Sequence, residues 1–370
     1  MQALSRTDRK SSDRTKRGAP ARNRRRRTDG DDRQAGRRRI RSLALGTRPS
    51  ALAVAQAEEA ASAIRKAAPG ISIRLIRIST LGDRMSRRDP PPDTAMRRPA
   101  EGEVGVFVRE IERALIEKRV DAAIHSLKDL PTSLHSGLVL AAVLPREDVR
   151  DCIVTRKGTP PEKLAAGAKI GTGSPRRTAQ LLAAWPRAAV VPVRGNVDTR
   201  IRKVLSGELD AVVLARAGLS RLGFLPTSDR KTRSPHKDTV ALRPEAEDLR
   251  IRTLPLSVML PAPGQGAIAI EVRSDDEETR KAVEKTSCRE TLLAVVAERS
   301  ALEALGGGCD IPIGAYGRFR GRGANRRLIL EGFLAPKDGN SRRARTSGRV
   351  ASESEAAALG RRLAGMLARS

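Results

Sequence analysis

Residues 169–223 read KIGTGSPRRTAQLLAAWPRAAVVPVRGNVDTRIRKVLSGELDAVVLARAGLSRLG, and this stretch decides the fold. Lys169-Ile170-Gly171 reads as a short strand. A helix opens at Thr172-Gly173-Ser174-Pro175-Arg176-Arg177 and runs to about Ala184. Pro175 stands near its first position, where the missing N–H costs nothing. Val190 to Val193 is a second strand, followed by Arg194-Gly195-Asn196-Val197-Asp198-Thr199-Arg200 and a helix to Leu205. Asp210 to Leu214 is a third strand, and Ala215 to Leu222 the next helix. Strands alternating with helices predict an α/β fold with a mostly parallel sheet and functional loops at the strand carboxyl ends.

The same rhythm appears upstream. Leu43 to Arg48 reads as a strand into a loop, and Ser50 caps a helix to about residue 66, with Val54, Ala57, Ala61 and Ile64 at helical spacing. Ile71 to Ile78 alternates as a strand and leads into Thr80-Leu81-Gly82-Asp83. Residues 84–104, rich in arginine and proline, read as a mobile loop beside a cleft. A helix over 106–118 and a strand over 120–125 come next, then the loop Ser126 to Thr132. Cys152 to Val154 is another strand. Residues 226–252 read as a charged, irregular insertion, and Ile268 to Val272 as one more strand. Helices near 276–285 and 289–305, strands near 313–318, 327–335 and 344–350, and a helix over 353–368 make a smaller α+β unit. Between them lies Leu305-Gly306-Gly307-Gly308-Cys309-Asp310-Ile311-Pro312. Glycines allow a thin, close-approaching backbone, and the proline stiffens the path beyond the cysteine. The Cys309 thiol is therefore either displayed into a cleft or packed as a small hydrophobe at a turn.

With 370 residues the chain has room for two or three domains. Only 2% of it is aromatic, so its cores must be aliphatic. The net charge of +29 ordinarily points to nucleic acid or an anionic surface. However, residues 1–41 carry sixteen basic against five acidic residues, so +11 lies in a segment with almost nothing apolar. Such a segment cannot offset its ordering entropy by burial, and a disordered basic tail is expected. It lacks the apolar stretch of a secretory signal. Three scattered cysteines (Cys152, Cys288, Cys309) argue against a disulfide framework, and three histidines (His125, His135, His236) against a His-rich metal site; no metal is expected. No run of eighteen apolar residues occurs, so no membrane helix is expected, and a reducing cytoplasm fits best.

The strand-to-helix junctions repeatedly place a small hydroxyl or a glycine beside arginine: Thr47-Arg48-Pro49-Ser50, Thr172 to Arg177, and Arg194-Gly195-Asn196. Helix N-termini attract anions through unpaired N–H groups and the helix dipole, and arginine adds a bidentate fork. Three such junctions in one α/β body suggest a cleft for a multiply charged anion. Neither a Walker loop nor a G-x-G-x-x-G after the first strand is present. Ser126-Leu127-Lys128-Asp129 occupies the same class of position. An aspartate among cations stays ionised and can stabilise developing positive charge or move a proton. His125, at a strand end, reads as a hydrogen-bonded core residue.

Taken together, the stretches LGTRPSALAVAQAE (45–58), STLGDRM (79–85), GVFVREIERALIEKRVDAAIHSLKDLPT (105–132), REDVRDCIV (146–154), IGTGSPRRTAQL (170–181), VRGNVDTRIRKVLSGELDAVVLARAGLSRLG (193–223), LPAPGQGAIAIEVR (260–273) and ERSALEALGGGCDIPIGAY (298–316) resemble the porphobilinogen deaminase (hydroxymethylbilane synthase) family. They run in family order over roughly residues 42–320. The resemblance implies a transferase of tetrapyrrole biosynthesis. It would condense four porphobilinogen molecules, with loss of ammonia, onto a covalent dipyrromethane primer and release hydroxymethylbilane by hydrolysis. By the match, Cys309 carries the primer, and Asp129 is the catalytic aspartate with Lys128 beside it. Arg48, Arg176, Arg177, Arg194 and Arg200 match family arginines that suit a polycarboxylate. Ser50, Ser126, Lys128, Thr172 and Ser174 match further cofactor or substrate contacts, and Gly195 and Gln265 fall in the same cofactor-binding set. The chain departs from the family's usual pattern at Glu103 and Val104, before the helix, and at Gly306, where an acid is common.

The implied fold is two periplasmic-binding-protein-like βα domains joined by two crossing strands, plus a smaller α+β C-terminal domain. The expected boundaries are 1–41 for the tail, 42–145 with a return segment at 265–286 for domain 1, 146–264 for domain 2, and 287–370 for the cofactor-carrying domain. The expected substrate is small, the expected state a monomer, and neither membrane nor specific nucleic acid is an expected partner. Two other classes stay open on the sequence: a non-catalytic binding module with the same cleft, and a nucleic-acid-binding protein. The low aromatic content disfavours the second, since single-strand binders need stacking platforms.

Overall fold

The computed structural model describes residues 40–81, 83, 108–225, 243–307, 312–336 and 340–369. The expected tail up to residue 39, the expected lid stretch 84–104 and Cys309 itself lie outside the described residues.

In chain order the elements are β1 (Ser42–Thr47), α1 (Ala51–Ala67), β2 (Ser72–Arg77), α2 (Arg109–Ile116), β3 (Ala122–Ser126), β4 (Leu138–Val143), β5 (Asp151–Arg156), β6 (Lys169–Gly171), α3 (Pro175–Ala184), β7 (Ala189–Val191), α4 (Val197–Leu205), β8 (Ala211–Ala215), α5 (Arg216–Arg221), β9 (Leu249–Thr253), β10 (Ile268–Arg273), α6 (Glu277–Glu284), α7 (Arg289–Ala304), β11 (Ile313–Arg320), β12 (Arg327–Leu334), β13 (Arg342–Gly348) and α8 (Glu353–Arg369). They build two five-stranded sheets, ordered β2-β1-β3-β10-β4 and β7-β6-β8-β5-β9, and a three-stranded sheet β11-β12-β13.

The two larger sheets share one plan. In the first, β1 pairs with β2 and β3 in parallel, and β10 is inserted antiparallel between β3 and β4. In the second, β6 pairs with β7 and β8 in parallel, and β5 is inserted antiparallel between β8 and β9. The mostly parallel sheet read from the sequence is therefore a mixed one. The antiparallel member in each case is the strand that carries the chain across: β5 comes after β4 and enters the second sheet, and β10 comes after β9 and returns to the first. Local periodicity shows the βα units but not the direction of a strand that pairs across a hundred residues.

Two strands depart from the sequence reading. The charged stretch expected to be irregular to residue 252 instead forms a 3₁₀ turn over Pro244–Asp248 and then β9; its residues 226–242 are outside the described ones. The β9 arginines, Arg250 and Arg252, alternate outward while Leu249 and Ile251 face the core, so a period of two was hidden by charge. The run Leu138 to Val143 adds β4, a short apolar stretch without a period of two, bounded by Ser136-Gly137 and Pro145.

Among the described residues aliphatic side chains dominate the cores, with Phe224 and Phe333 the buried aromatic rings. Leu43, Leu45, Ile64, Ile124 and Ile270 pack one face of the first sheet. The second sheet is covered on both faces: Val154, Val212, Ile201 and Val204 lie on one side, and Ile153, Ile170, Leu181 and Val213 on the other. In the third unit α7 and α8 lie on one face of β11–β13 through Leu293, Ala297, Leu330, Leu363 and Leu367. Gly360 lets the two helices touch: a Cβ there would stand 2.2 Å from the Ala297 carbonyl oxygen.

Candidate functional site

The chemistry-bearing loops leave the carboxyl ends of the central strands, as the alternation predicts. Arg48 comes directly after β1, and the Ser50 hydroxyl caps α1 by accepting from the Ala53 N–H at 3.4 Å. Ser126 ends β3, and Leu127–Asp129 forms a 3₁₀ turn directly after it. One cleft is lined by Arg48, Ser50, Gln56, His125, Ser126 and Asp129 together. Gln56 on α1 reaches Ser126, its amide nitrogen donating to the hydroxyl at 2.8 Å. Asp129 is exposed into this space.

Arg48 donates to Asp83 through Nε at 3.1 Å and Nη2 at 2.6 Å, and Asp83 also accepts from the Thr80 hydroxyl at 2.7 Å. Burial would raise the Asp83 carboxyl, but these donors hold it below the usual carboxylate range. Lys128 is half-buried, and desolvation pushes its pKa down to about 8, with Asp129 opposing the shift and Arg177 and Arg176 adding to it. Arg200 is similarly lowered to about 10, first by desolvation, then by Arg177, and against the pull of Asp129. Lys128, Asp129, Arg177 and Arg200 thus belong to one electrostatic cluster, although they come from both sheets.

The arginine pair of the Thr172–Arg177 junction is not an open fork. Arg176 and Arg177 are 4% and 6% exposed, and both close on Asp151, the fully buried first residue of β5, at 2.9 and 2.7 Å. Arg176 also donates to the Leu260 carbonyl at 2.6 Å and Arg177 to the Val213 carbonyl at 3.0 Å. Burial alone would raise the Asp151 carboxyl, but the two guanidiniums hold it at about 2. Arg177 Nε is left buried without a hydrogen-bond partner. Thr172 is buried, its hydroxyl accepting from the Ser174 N–H at 3.2 Å, and Ser174 caps α3. Arg200 donates to the Gly195 carbonyl at 2.9 Å, while Arg194 is exposed. Gln265 is wholly buried away from the cleft lining and donates to the Val149 carbonyl at 2.7 Å and to Asp151 at 3.0 Å. It ties together the two chain crossings, one before β5 and one before β10. His125 is buried as expected, its Nε2 3.1 Å from a Glu271 carboxylate oxygen.

Three charged residues that the sequence reading passed over hold the site in place. Asp151 is one. Glu298, fully buried on α7, accepts from Arg146 at 2.5 and 2.9 Å, from the Gly264 N–H at 2.7 Å and from the Gly317 N–H at 2.8 Å. It thereby joins both crossings to β11. Arg221 on α5 reaches Glu59 on α1 at 3.0 Å and bridges the two larger sheets. The available signal was an acid where the pattern asks for an apolar residue: Asp151 before Cys152-Ile153-Val154, and Glu298 on the apolar face of a helix.

The donors around Asp129 suit a ligand with several carboxylates, and among the described residues no cluster suits a metal. No helix among them is long and apolar enough to cross a membrane.

Comparison with known proteins agrees with the geometry. A family model described as porphobilinogen deaminase, dipyromethane cofactor binding domain, matches residues 43–281, and one described as porphobilinogen deaminase, C-terminal domain, matches residues 292–369. Porphobilinogen deaminase of Pelotomaculum thermopropionicum is 42% identical over 301 residues, 81% of this chain and 85% of that one. The Acidithiobacillus ferrooxidans protein of that name is 41% identical over 80% and 86%. The Syntrophomonas wolfei protein is 38% identical over 88% and 94%. Among solved structures, the periplasmic VFT2 domain of Bordetella pertussis BvgS aligns over 67% of this chain and 86% of that one at 17% identity, with a TM-score of 0.36, a slight likeness. Two family models spanning nearly all of the folded body, and relatives at about two-fifths identity over four-fifths of its length, establish that the chain belongs to the porphobilinogen deaminase family.

Proposed function

We propose that this chain condenses four porphobilinogen molecules, with loss of ammonia, on a dipyrromethane primer held by Cys309, and releases hydroxymethylbilane by hydrolysis. The observation that carries the reading is the Asp129 carboxylate, exposed in a cleft among Arg48, Ser50 and Ser126, with Lys128 and Arg200 in its field. When bound, the primer supplies the free pyrrole carbon on which the chain grows. Everything else falls to the protein's own groups.

Each pyrrole unit brings an acetate and a propionate, so the ligand accumulates negative charge. Arg48, Arg194 and Arg200 are the cations that would receive it, with the buried Arg177 adding its positive field from behind. The Ser50 and Ser126 hydroxyls orient the ligand by hydrogen bonds. The Asp129 carboxylate stabilises positive charge developing where ammonia departs and can accept a pyrrole N–H. Lys128 pairs with a ligand carboxylate while protonated, and its desolvated position makes that proton easy to lose when the cleft is empty. Arg176, Thr172, Ser174, Gly195 and Gln265 act from behind, setting the backbone and the arginine pair. Removing the Asp129 charge should cost several kcal/mol of barrier, on the order of 3–4 for a preorganised electrostatic group.

The working division is domain 1 at 42–145 with a return segment at 265–286, domain 2 at 146–264, and a cofactor-carrying domain at 287–370. The preferred setting is a cytoplasmic monomer acting on a small molecule, without nucleic acid.

The test is an intact mass of the denatured protein, wild type beside Cys309→Ala. The expected result is an increment of two pyrrole units in the wild type and none in the variant. An unmodified wild type that gains no adduct on incubation with porphobilinogen would overturn the assignment.

A further inference from the structure

The loop that carries Asp129 is not held by its own sheet alone. Arg299, on the third turn of α7, donates to three successive carbonyls of that loop: Leu130 at 2.9 Å, Pro131 at 2.5 Å and Thr132 at 3.2 Å. Consecutive carbonyls that converge on one point are rare in a chain that pairs with itself, and Pro131 has no N–H with which to close the turn locally. A planar guanidinium with five donors fits such a group, and a single ammonium does not. The contact is desolvated: burial lowers the Arg299 pKa, with Glu303 and Glu271 opposing. Leu292 and Val295 of α7 share an apolar cluster with Leu127, Leu130 and Leu134, which lie before, within and after the clamped segment.

The same helix leads to the cysteine. α7 ends at Ala304, and Gly307 lies against the far end of the clamped segment, where a Cβ would stand 3.4 Å from the Thr132 hydroxyl. Gly307 has φ +51°, a conformation most side chains resist, and it is the last described residue before Cys309, in contact with the loop that follows Asp129. Two contacts eight residues apart, Arg299 and Gly307, therefore meet one three-residue segment, and that segment begins one residue after Asp129.

We propose that Arg299 is a positioning residue: by clamping the carbonyls of residues 130–132 it keeps Asp129 in register with α7, the helix whose chain leads on to Cys309. The inference rests on the roles assigned to Asp129 and Cys309 under the proposed function. Its mechanical part does not, because the clamp is made entirely by the chain's own groups. The helix and the loop belong to different units of the fold: Glu298 ties α7 to the chain crossings at Arg146 and Gly264, whereas Arg299 supplies hydrogen bonds from α7 to the backbone of residues 130–132, where the neighbouring contacts are apolar packing without directional preference.

The test uses full-length protein without primer, prepared as wild type, Arg299→Gln and Arg299→Lys, with amide hydrogen exchange followed on peptides covering 126–134, α7 and the second sheet. Arg299→Gln should speed exchange at Leu127–Thr132 by about tenfold or more, the scale of losing charge-assisted hydrogen bonds, while the second sheet is unchanged. Arg299→Lys should do nearly the same, since it keeps the charge but not the fork. Unchanged exchange at 127–132, or an equal rise everywhere, would overturn the proposal, as would full protection in Arg299→Lys. A second readout separates positioning from general support: on adding porphobilinogen, time-resolved intact mass should show slower primer loading and a lower kcat with KM nearly unchanged. Loading and kcat at wild-type rates in Arg299→Gln would also overturn it. Because the exchange measurement needs no turnover, a failed activity assignment and a failed clamp give different results.

Discussion

Asp151→Asn is the perturbation whose size can be worked from the structure most directly. The side chain is fully buried and faces two guanidiniums at 2.9 and 2.7 Å, plus the Gln265 amide at 3.0 Å. Asparagine keeps the shape and removes the charge, leaving two buried cations uncompensated. Breaking one side of a buried ion network costs about 3–5 kcal/mol. The pH dependence gives a second measure. The Asp151 carboxyl titrates at about 2 in the folded protein against 3.8 for the free group. The unfolded chain therefore binds this proton more readily, and the carboxylate's contribution, roughly 2 kcal/mol from a shift of that size, is complete above about pH 4 and fades as pH falls through 2. The assay is urea unfolding monitored by the fluorescence of Trp185, the single tryptophan, which packs against the second sheet at the end of α3. The wild type should exceed Asp151→Asn by several kcal/mol at pH 7 and by the same amount at pH 5, with the gap narrowing from pH 4 downward. A variant within about 0.5 kcal/mol of wild type at pH 7, the size of an ordinary surface substitution, would refute the reasoning. So would a gap that does not change between pH 5 and pH 2.5.

Other outcomes rest on the same geometry. Lys128 is lowered to about 8, so kcat/KM should fall above pH 8 as the free enzyme loses that proton. Because its folded pKa lies below 10.5, the desolvated ammonium opposes folding at pH 7; Lys128→Met should raise the urea midpoint there, with the advantage vanishing as pH rises from 8 to 10.5. Glu298→Gln should cost about 3–5 kcal/mol by stranding Arg146, read by unfolding and by faster trypsin cleavage at the crossings. Gly360→Ala should cost about 1–3 kcal/mol through overpacking of α7 against α8, read by thermal unfolding. Ser174→Ala should cost about 1 kcal/mol as a lost helix cap, with little change in the cleft near Arg48.

What the sequence made legible was whatever is written within twenty residues. The βα units, the Ser50 and Ser174 caps and the proline at the start of α3 all come from short-range pattern and appear in the structure. The loops bearing Arg48, Asp129 and Arg194 could be placed at strand ends for the same reason. Partners chosen across the fold were not legible. Nothing near Arg176-Arg177 reveals that Asp151, on a strand of the preceding segment, will close on them, or that Arg299 will reach back to Pro131. Charge misled the reading of β9, where outward arginines disguised a strand. The two kinds of failure share a cause: burial and ion pairing are set by tertiary neighbours, and a one-dimensional pattern carries them only where an acid interrupts an apolar run.

The placement of the two crossing strands also bears on how the chain is made. All five strands of the second sheet lie between residues 151 and 253, so that unit can close once its own segment has left the ribosome. The first sheet cannot. Its β3 and β4 are separated by a gap that only β10, residues 268–273, fills. The N-terminal half must wait, with one strand missing and the facing edges of β3 and β4 unpaired, until the chain has been synthesised through β10. Nascent chains are usually expected to fold from the front; here the order is inverted, and the open slot between β3 and β4 is the place where a holding chaperone, or a wrong strand, would bind first.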